Sequence, residues 1–385
     1  MLYKSCVSSG FSWTHVQTLI SKHTENLLMN IALLAAGMSW GKKESLAITV
    51  RQYAHELLRR GHTVAIISER KGAAAEEIED GVHLFRGSGG IFFSYVAAFY
   101  RARKLGRFDV IHGFSAAPVF VLRSLLCKLV EPRARVVHTL KSYSRSALGN
   151  YCTWLLNFVH HVTVPTAIYK SKLRFVREKR ISVVRSHIDL AAFRAYSAAE
   201  KKEVRAKLGL PAVPVLFYYG ATWTDKGVDD LVFAVRQLLD QHIACFLLIA
   251  PRYEIEKDLK TLIMDTLGSN ARIDYGISVV DYLNAADVCV LPYKSICGTE
   301  GNPSCLLEAM ACKTAVVTTS ILELREIVVD DVLMAIPGDC TSLAHALSSV
   351  LNNAKLRERL AEHAQIAQFD VRIVAEQFLK IYESK

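Results

Sequence analysis

No apolar run in these 385 residues approaches the roughly 20 residues that a membrane-spanning helix needs. The stretch Leu27–Met38 has the length of a signal-peptide core. Its upstream flank, His23-Thr24-Glu25-Asn26, lacks the basic character such a core requires, and the stretch reads better as a strand. Nine cysteines are present without one Cys-x-x-Cys pair. Their odd number and scatter argue against a disulfide framework, suit small apolar core positions, and agree with a reducing cytoplasm. No spacing of Cys and His suits zinc, since His160 and His161 are merely adjacent, and no Asp-x-Asp pair is present. No metal cofactor is therefore expected. Helix-turn-helix, zinc-finger and RNA-binding aromatic motifs are also missing, which removes nucleic acid from the expected partners. No short internal repeat recurs.

What the chain does have is core material. It is 51% hydrophobic and 22% charged, enough apolar content for two ordinary domains and too much for disorder. The net charge of +10 is unevenly placed: residues 1–180 carry 26 Lys and Arg against 11 Asp and Glu, and the remainder 21 against 26. A basic first half suits an anionic membrane surface or an acidic substrate; a solvated surface is the simpler alternative.

Hydrophobic patterning supplies the fold class. Asn30–Ala35 is a short apolar run ending in small residues before Gly37, as in a buried strand. Leu46, Val50, Tyr53, Leu57 and Leu58 share one face of a helix over Ser45–Arg60; Gly61 stops it and Thr63–Ser68 is the next strand, completing a βαβ unit. The alternation continues through strands at Val82–Phe85, Val110–His112, Arg135–Leu140 and Ile181–Val184, with helices at Ile91–Leu105 and Val119–Val130 and an apolar stretch at Trp154–Val162. A polar segment at Ala195–Lys207, followed by Pro211 and Pro214, marks a junction. Strands at Val215–Tyr219, Cys245–Ala250, Arg272–Tyr275, Val288–Leu291 and Ala315–Thr318 then alternate with helices. The pattern predicts an α/β protein of two doubly wound parallel-sheet domains, 29–195 and 196–365. An extension, 1–28, precedes them, and a helix over 366–385 is expected to pack back on the first domain.

Ligands of such sheets bind beyond the carboxyl ends of strands. Residues 300–308, Glu-Gly-Asn-Pro-Ser-Cys-Leu-Leu-Glu, follow the Val288–Leu291 strand and its loop. Asn302 is suited to cap a helix and Pro303 to open it, which leaves free backbone amides as an anion site. Glu300 lies on the loop and Glu308 inside the helix, so the two carboxylates can address different hydroxyl-rich parts of one extended ligand. A capped helix carrying two surface acids fits the spacing equally.

Glu300–Val317 (EGNPSCLLEAMACKTAVV) resembles the signature of glycosyltransferase family 4, in which two glutamates are separated by seven residues. Gly220–Gly227 (GATWTDKG) resembles that family's glycine-to-Lys-Gly loop, and Ala285–Pro292 (AADVCVLP) the strand before its signature. Phe108–His112 and Arg180–Phe193 occupy the expected places in the first domain, so the likeness runs from about Met29 onward. It implies the GT-B architecture, two Rossmann-like domains facing across a cleft. It also implies transfer of a sugar, with retained configuration, from a UDP- or GDP-linked donor to a glycan, polysaccharide or lipid-linked acceptor, without a metal. A cytoplasmic enzyme, peripheral on the inner face of the membrane in polysaccharide or lipopolysaccharide biosynthesis, would fit. By position, Glu300 would contact the donor sugar and Glu308 the ribose. Backbone groups of Gly301, Asn302, Pro303 and Ser304, and those near Leu306 and Leu307, would meet sugar and diphosphate. Lys226, beyond Gly220, would neutralise the leaving diphosphate.

Several positions depart from the pattern. Arg often follows the loop glycine in the family; here it is Ala221, leaving Thr222 or Lys42, after Gly41 in the first βα loop, to compensate. Lys141 stands where a histidine is frequent, as a cation for acceptor or phosphate. His112 matches a strand-end histidine and reads either as a catalytic group or as a satisfied core residue. Ser186-His187 replaces an Asn-Gly turn, and Lys313 a helix-ending glycine, at about 1 kcal/mol if it turns left-handed. A non-catalytic sugar-nucleotide-binding or scaffold protein is the alternative these departures allow. Ile91–Leu105, mixing aromatics with Arg101, Arg103 and Lys104, reads as an interfacial helix or as one packed on its own sheet.

Overall fold

A computed structural model of the protein describes residues 28–39, 44–70, 72–142, 152–295, 303–327, 334–362 and 366–384. The first sheet comprises β1 (Asn30–Leu34), β2 (Thr63–Glu69), β3 (Glu76–Glu79), β4 (Val82–Gly87), β5 (Val110–Ser115), β6 (Arg135–Leu140), β7 (His161–Val164) and β8 (Ile181–Val183). Their spatial order is β3-β4-β2-β1-β5-β6-β7-β8. On the central strand, Ile31 and Leu33 enter the core under α1 (Ser45–Arg59), while Ala32 and Leu34 enter the core on the other face. Because both faces are covered, the strand has to be apolar throughout rather than alternating.

Only the β3–β4 pair is antiparallel in this sheet, and β3 escaped the hydrophobic pattern. Its sequence, EEIE, is held by ladder hydrogen bonds and by ion pairs: Glu77 with Arg86 at 2.9 Å, and Glu76 with Lys104 at 2.6 Å. Neither demands burial. The helix read at Ile91–Leu105 forms as α2 (Gly90–Ala102) with a terminal turn at Arg103–Leu105. Tyr95, Ala98, Phe99 and Ala102 are buried on the sheet. Its cations have protein partners while staying wholly or partly exposed: Arg101 the Arg86 carbonyl, Arg103 Glu131 at 3.5 Å, and Lys104 Glu76.

After α3 (Val121–Val130) and α4 (Ala167–Lys172), the chain crosses to the second sheet. This holds β9 (Val215–Gly220), β10 (Phe246–Pro251), β11 (Ala271–Ile273), β12 (Val288–Leu291), β13 (Ala315–Thr319) and β14 (Met334–Ala335), in order β11-β10-β9-β12-β13-β14. The polar segment at the junction becomes α5 (Ala198–Lys207), opened by a reciprocal capping box between Ser197 and Glu200. Further helices include α6 (Val228–Asp240), α7 (Lys257–Leu267), α8 (Val279–Ala285), α9 (Ser304–Ala311), α10 (Leu322–Arg325), α11 (Cys340–Leu351) and α12 (Ala354–Ala361). Lys313, just past α9, does adopt a left-handed backbone, with φ of 53°.

The last helix, α13 (Val371–Glu383), returns to the first sheet and packs on α1. Val374, Ala375, Phe378, Leu379 and Tyr382 are buried there among Tyr53, Leu57 and Phe114. Where the two crossing segments meet, Ile188 N donates to Phe369 O at 2.8 Å and Val371 N to Ile188 O at 3.0 Å. Asp370 caps the helix through its carboxylate on Arg372 N at 2.8 Å.

Buried histidines of the first domain include His112, His138 and His187. Burial depresses the pKa of each, to about 3 for His138 and His187. Unfolding returns them to water, where they take up protons below about pH 6.5. The unfolded state therefore binds more protons between that pH and the folded values, so this contribution is complete above about pH 6.5 and is lost as pH falls. The expected loss is about 1 kcal/mol per histidine per pH unit. A melting temperature constant from pH 7 to pH 5 would contradict it.

Candidate active site

The carboxyl ends of β5, β6 and β9 converge between the two sheets on a cavity of about 360 Å³. From the first half, the start of α1 (Glu44, Ser45, Leu46), Ser115 and Lys141 line it. From the second come Gly220, Lys226, Arg252, Tyr293, Ser304 and Cys305.

Lys226 is almost fully buried, with Nζ 4.7 Å from the centroid of the Tyr293 ring. A short turn at Thr224–Lys226 sets it, with Lys226 N on Trp223 O at 2.8 Å. The next residue explains the Lys-Gly pairing. Gly227 has φ of 67°, and a Cβ there would stand 1.9 Å from the Pro292 carbonyl oxygen. The loop is thus pressed on the end of β12, and Lys294 N on Asp225 O at 2.9 Å and Ser295 Oγ on Asp225 Oδ1 at 3.0 Å reinforce the contact. Only glycine fits.

Helix α9 starts at the cavity. Pro303 sits one position earlier than expected, in the capping place, and the helix opens at Ser304. Leu306 and Leu307 are fully buried, and their amides already bond to Pro303 O at 3.1 and 3.4 Å. That leaves Ser304 and Cys305, rather than the leucines, as the first-turn amides beside the cavity. Glu308 is partly exposed one turn further along the helix, accepting from Tyr219 Oη at 2.6 Å. Burial pushes its carboxyl up from the usual range, opposed by the Tyr219 hydroxyl, the Arg252 charge and Ser304.

Other expected positions fall differently. Lys141 is buried at the cavity, its Nζ 3.3 Å from Ser186 Oγ. Thr222 lies outside the cavity, in a separate depression with Asp229 and Glu256. His112 does not line the cavity: it is completely buried, with Nδ1 2.6 Å from Tyr382 Oη and Nε2 2.6 Å from Thr139 Oγ1. One ring nitrogen ties α13 to the sheet and the other ties β5 to β6. Gly41, Lys42, Glu300, Gly301 and Asn302 lie outside the described residues.

Arg252, Trp223, Tyr253 and Tyr293 were not anticipated at the cavity. Trp223 and Tyr253 stack at 6.5 Å with an interplanar angle of 13°. Their positions directly after β9 and β10 were the available signal. Gly227→Ala should lower stability by about 2 kcal/mol or more, or distort the Lys226 turn. Denaturant titration checks this; wild-type stability with wild-type ligand binding would contradict the close approach.

Comparison with known proteins agrees with this geometry. Residues 46–192 match the pattern described as Glycosyltransferase Family 4, and residues 200–366 that of Glycosyl transferases group 1. A putative teichuronic acid biosynthesis glycosyltransferase of Bacillus subtilis is 30% identical over 141 residues, 36% of this chain and 33% of that protein. An alpha-D-kanosaminyltransferase of Streptomyces kanamyceticus is 24% identical over 197 residues, 49% of this chain and 50% of that protein. The chain thus spans a third and a half of the lengths of these two relatives. Among solved structures, a glycosyltransferase from Rickettsia africae superposes with a TM-score of 0.77 at 16% identity, covering 92% of this chain and 98% of that one. Anabaena HepE, in complex with UDP and glucose, superposes with a TM-score of 0.74 at 17% identity, covering 93% and 100%. At such identities the likeness is one of fold, and it is the GT-B fold. With one family pattern on each sheet and the cavity between them, the chain belongs to the group 1 glycosyltransferases of family 4.

Proposed function

We propose that the protein transfers a sugar, with retained anomeric configuration, from a nucleotide-sugar donor to a hydroxyl of a glycan, polysaccharide or lipid-linked acceptor. The observation that carries this reading is the interdomain cavity, which gathers Lys226, the first turn of α9 and Lys141 from two different sheets. Breaking the anomeric bond leaves negative charge on the departing phosphate and positive charge on the sugar. A buried lysine and unbonded helix amides stabilise the first, and do so strongly because they are held in place beforehand. Glu308, half-buried and oriented by Tyr219, is suited to accept from ribose hydroxyls. Glu300 is the proposed partner of the donor sugar. UDP is the first nucleotide to try, since the HepE structure holds UDP and glucose. The basic first half suits an acceptor presented at an anionic membrane surface.

The test is turnover. The protein is incubated with UDP-, GDP- and ADP-sugars and released nucleotide is measured, with the anomer of any product assigned by proton NMR. Lys226→Ala should lower kcat by about 100- to 1,000-fold. Donor binding without release of nucleotide under any condition would favour the non-catalytic alternative. An inverted product would overturn the retaining mechanism.

A further inference from the structure

We infer that Arg252 is a diphosphate-binding residue of the donor site, taking the place that Ala221 leaves empty of charge. This rests on the donor reading above. The strand register carries it: β10 pairs with β9 in parallel, with Ala250 beside Tyr219 and Pro251 beside Gly220. The ladder ends there, at a Gly220 whose φ is 130°; beyond it Arg252 N still donates to Gly220 O at 2.7 Å, and Ala221 and Arg252 both line the cavity. Adjacent strands lie about 4.8 Å apart and paired residues of parallel strands point to the same face. Arg252 thus leaves the end of β10 at the same cavity wall as Ala221, within reach of the space that a side chain at 221 would command.

Three further observations agree. Arg252 lines the cavity together with Lys226 and Ser304. No hydrogen bond or ion pair to another described residue holds its guanidinium, whereas Lys226 lies over the Tyr293 ring and Lys141 on Ser186. Burial raises the pKa of both Glu308 and Cys305, and the Arg252 charge across the cavity wall opposes the rise in each. A nucleoside diphosphate carries more than one negative charge, so a single lysine leaves it incompletely neutralised. A guanidinium adds a planar fork of donors matched to phosphate oxygens. Ala221 itself contributes only its carbonyl, which accepts from the Tyr218 hydroxyl.

The experiment measures binding of UDP, GDP and ADP and of uridine, guanosine and adenosine to the full chain by calorimetry. It compares wild type with Arg252→Ala, Lys226→Ala and the double variant Ala221→Arg/Arg252→Ala. For the diphosphate that wild type binds, Arg252→Ala should weaken affinity by about 10- to 100-fold while its nucleoside is unaffected. The double variant should recover most of the loss, because its arginine returns to the neighbouring strand position. Equal weakening of diphosphate and nucleoside would overturn the inference, as would no recovery in the double variant. Unchanged affinity in Arg252→Ala beside weakened affinity in Lys226→Ala would overturn it and leave the donor reading standing. If none of the three diphosphates binds wild type, the donor reading fails and this inference fails with it.

Discussion

The burial of α13 against α1 is what makes a cleft out of two sheets. Each sheet has its own core and its own row of carboxyl-terminal strand ends, but those ends face one another only because the chain returns. Phe378, Leu379, Val374 and Tyr382 leave water on the first domain, worth roughly 6–12 kcal/mol as an upper bound. The Tyr382 hydroxyl also meets Tyr53 at 2.9 Å and His112 at 2.6 Å. A buried hydroxyl without partners would be costly, so this polar contact gives the docking one geometry. Ion pairs between the halves, such as Lys172 with Glu323 at 2.9 Å, lie on more exposed ground and contribute less.

Seen from that constraint, His112, which lies within β5 rather than at its end, changes meaning. A strand-end histidine facing a cleft is an ordinary place for a catalytic group, and its position in the sequence invited that reading. What decides its role is a helix 270 residues later in the chain. Nothing local to Val110–Ser115 announces Tyr382. The same holds for Arg252: Ala221 follows another strand, and only the pairing of β10 with β9 brings the two strand ends together. Contacts between segments far apart in sequence are where pattern reading stops.

What lies within one segment was legible. The continuous apolar runs of β1 and β9, the amphipathic α1 and the Lys226-Gly227 turn each carry their cause in a few adjacent residues. The β3 edge strand was not legible, because ion pairs and a backbone ladder hold it and leave no hydrophobic period. The start of α9 was legible to within one residue, with Ser304 rather than Pro303 first, since capping preferences rank residues without fixing the register of a turn.

The electrostatics of the cleft follow from the same arrangement. The second half is mildly acidic, yet its cavity wall presents Lys226, Arg252 and the opening of α9. Lys141 answers from the basic half. A cation on each side, one nearly buried under an aromatic ring, favours a compact polyanion held between the domains. The most direct measurement of that claim is calorimetric titration of the full chain with UDP-, GDP- and ADP-linked glucose at two salt concentrations. One site per chain, with affinity for at least one donor that weakens as salt rises, is the result predicted. Absence of binding for every donor, or binding indifferent to salt, would contradict it.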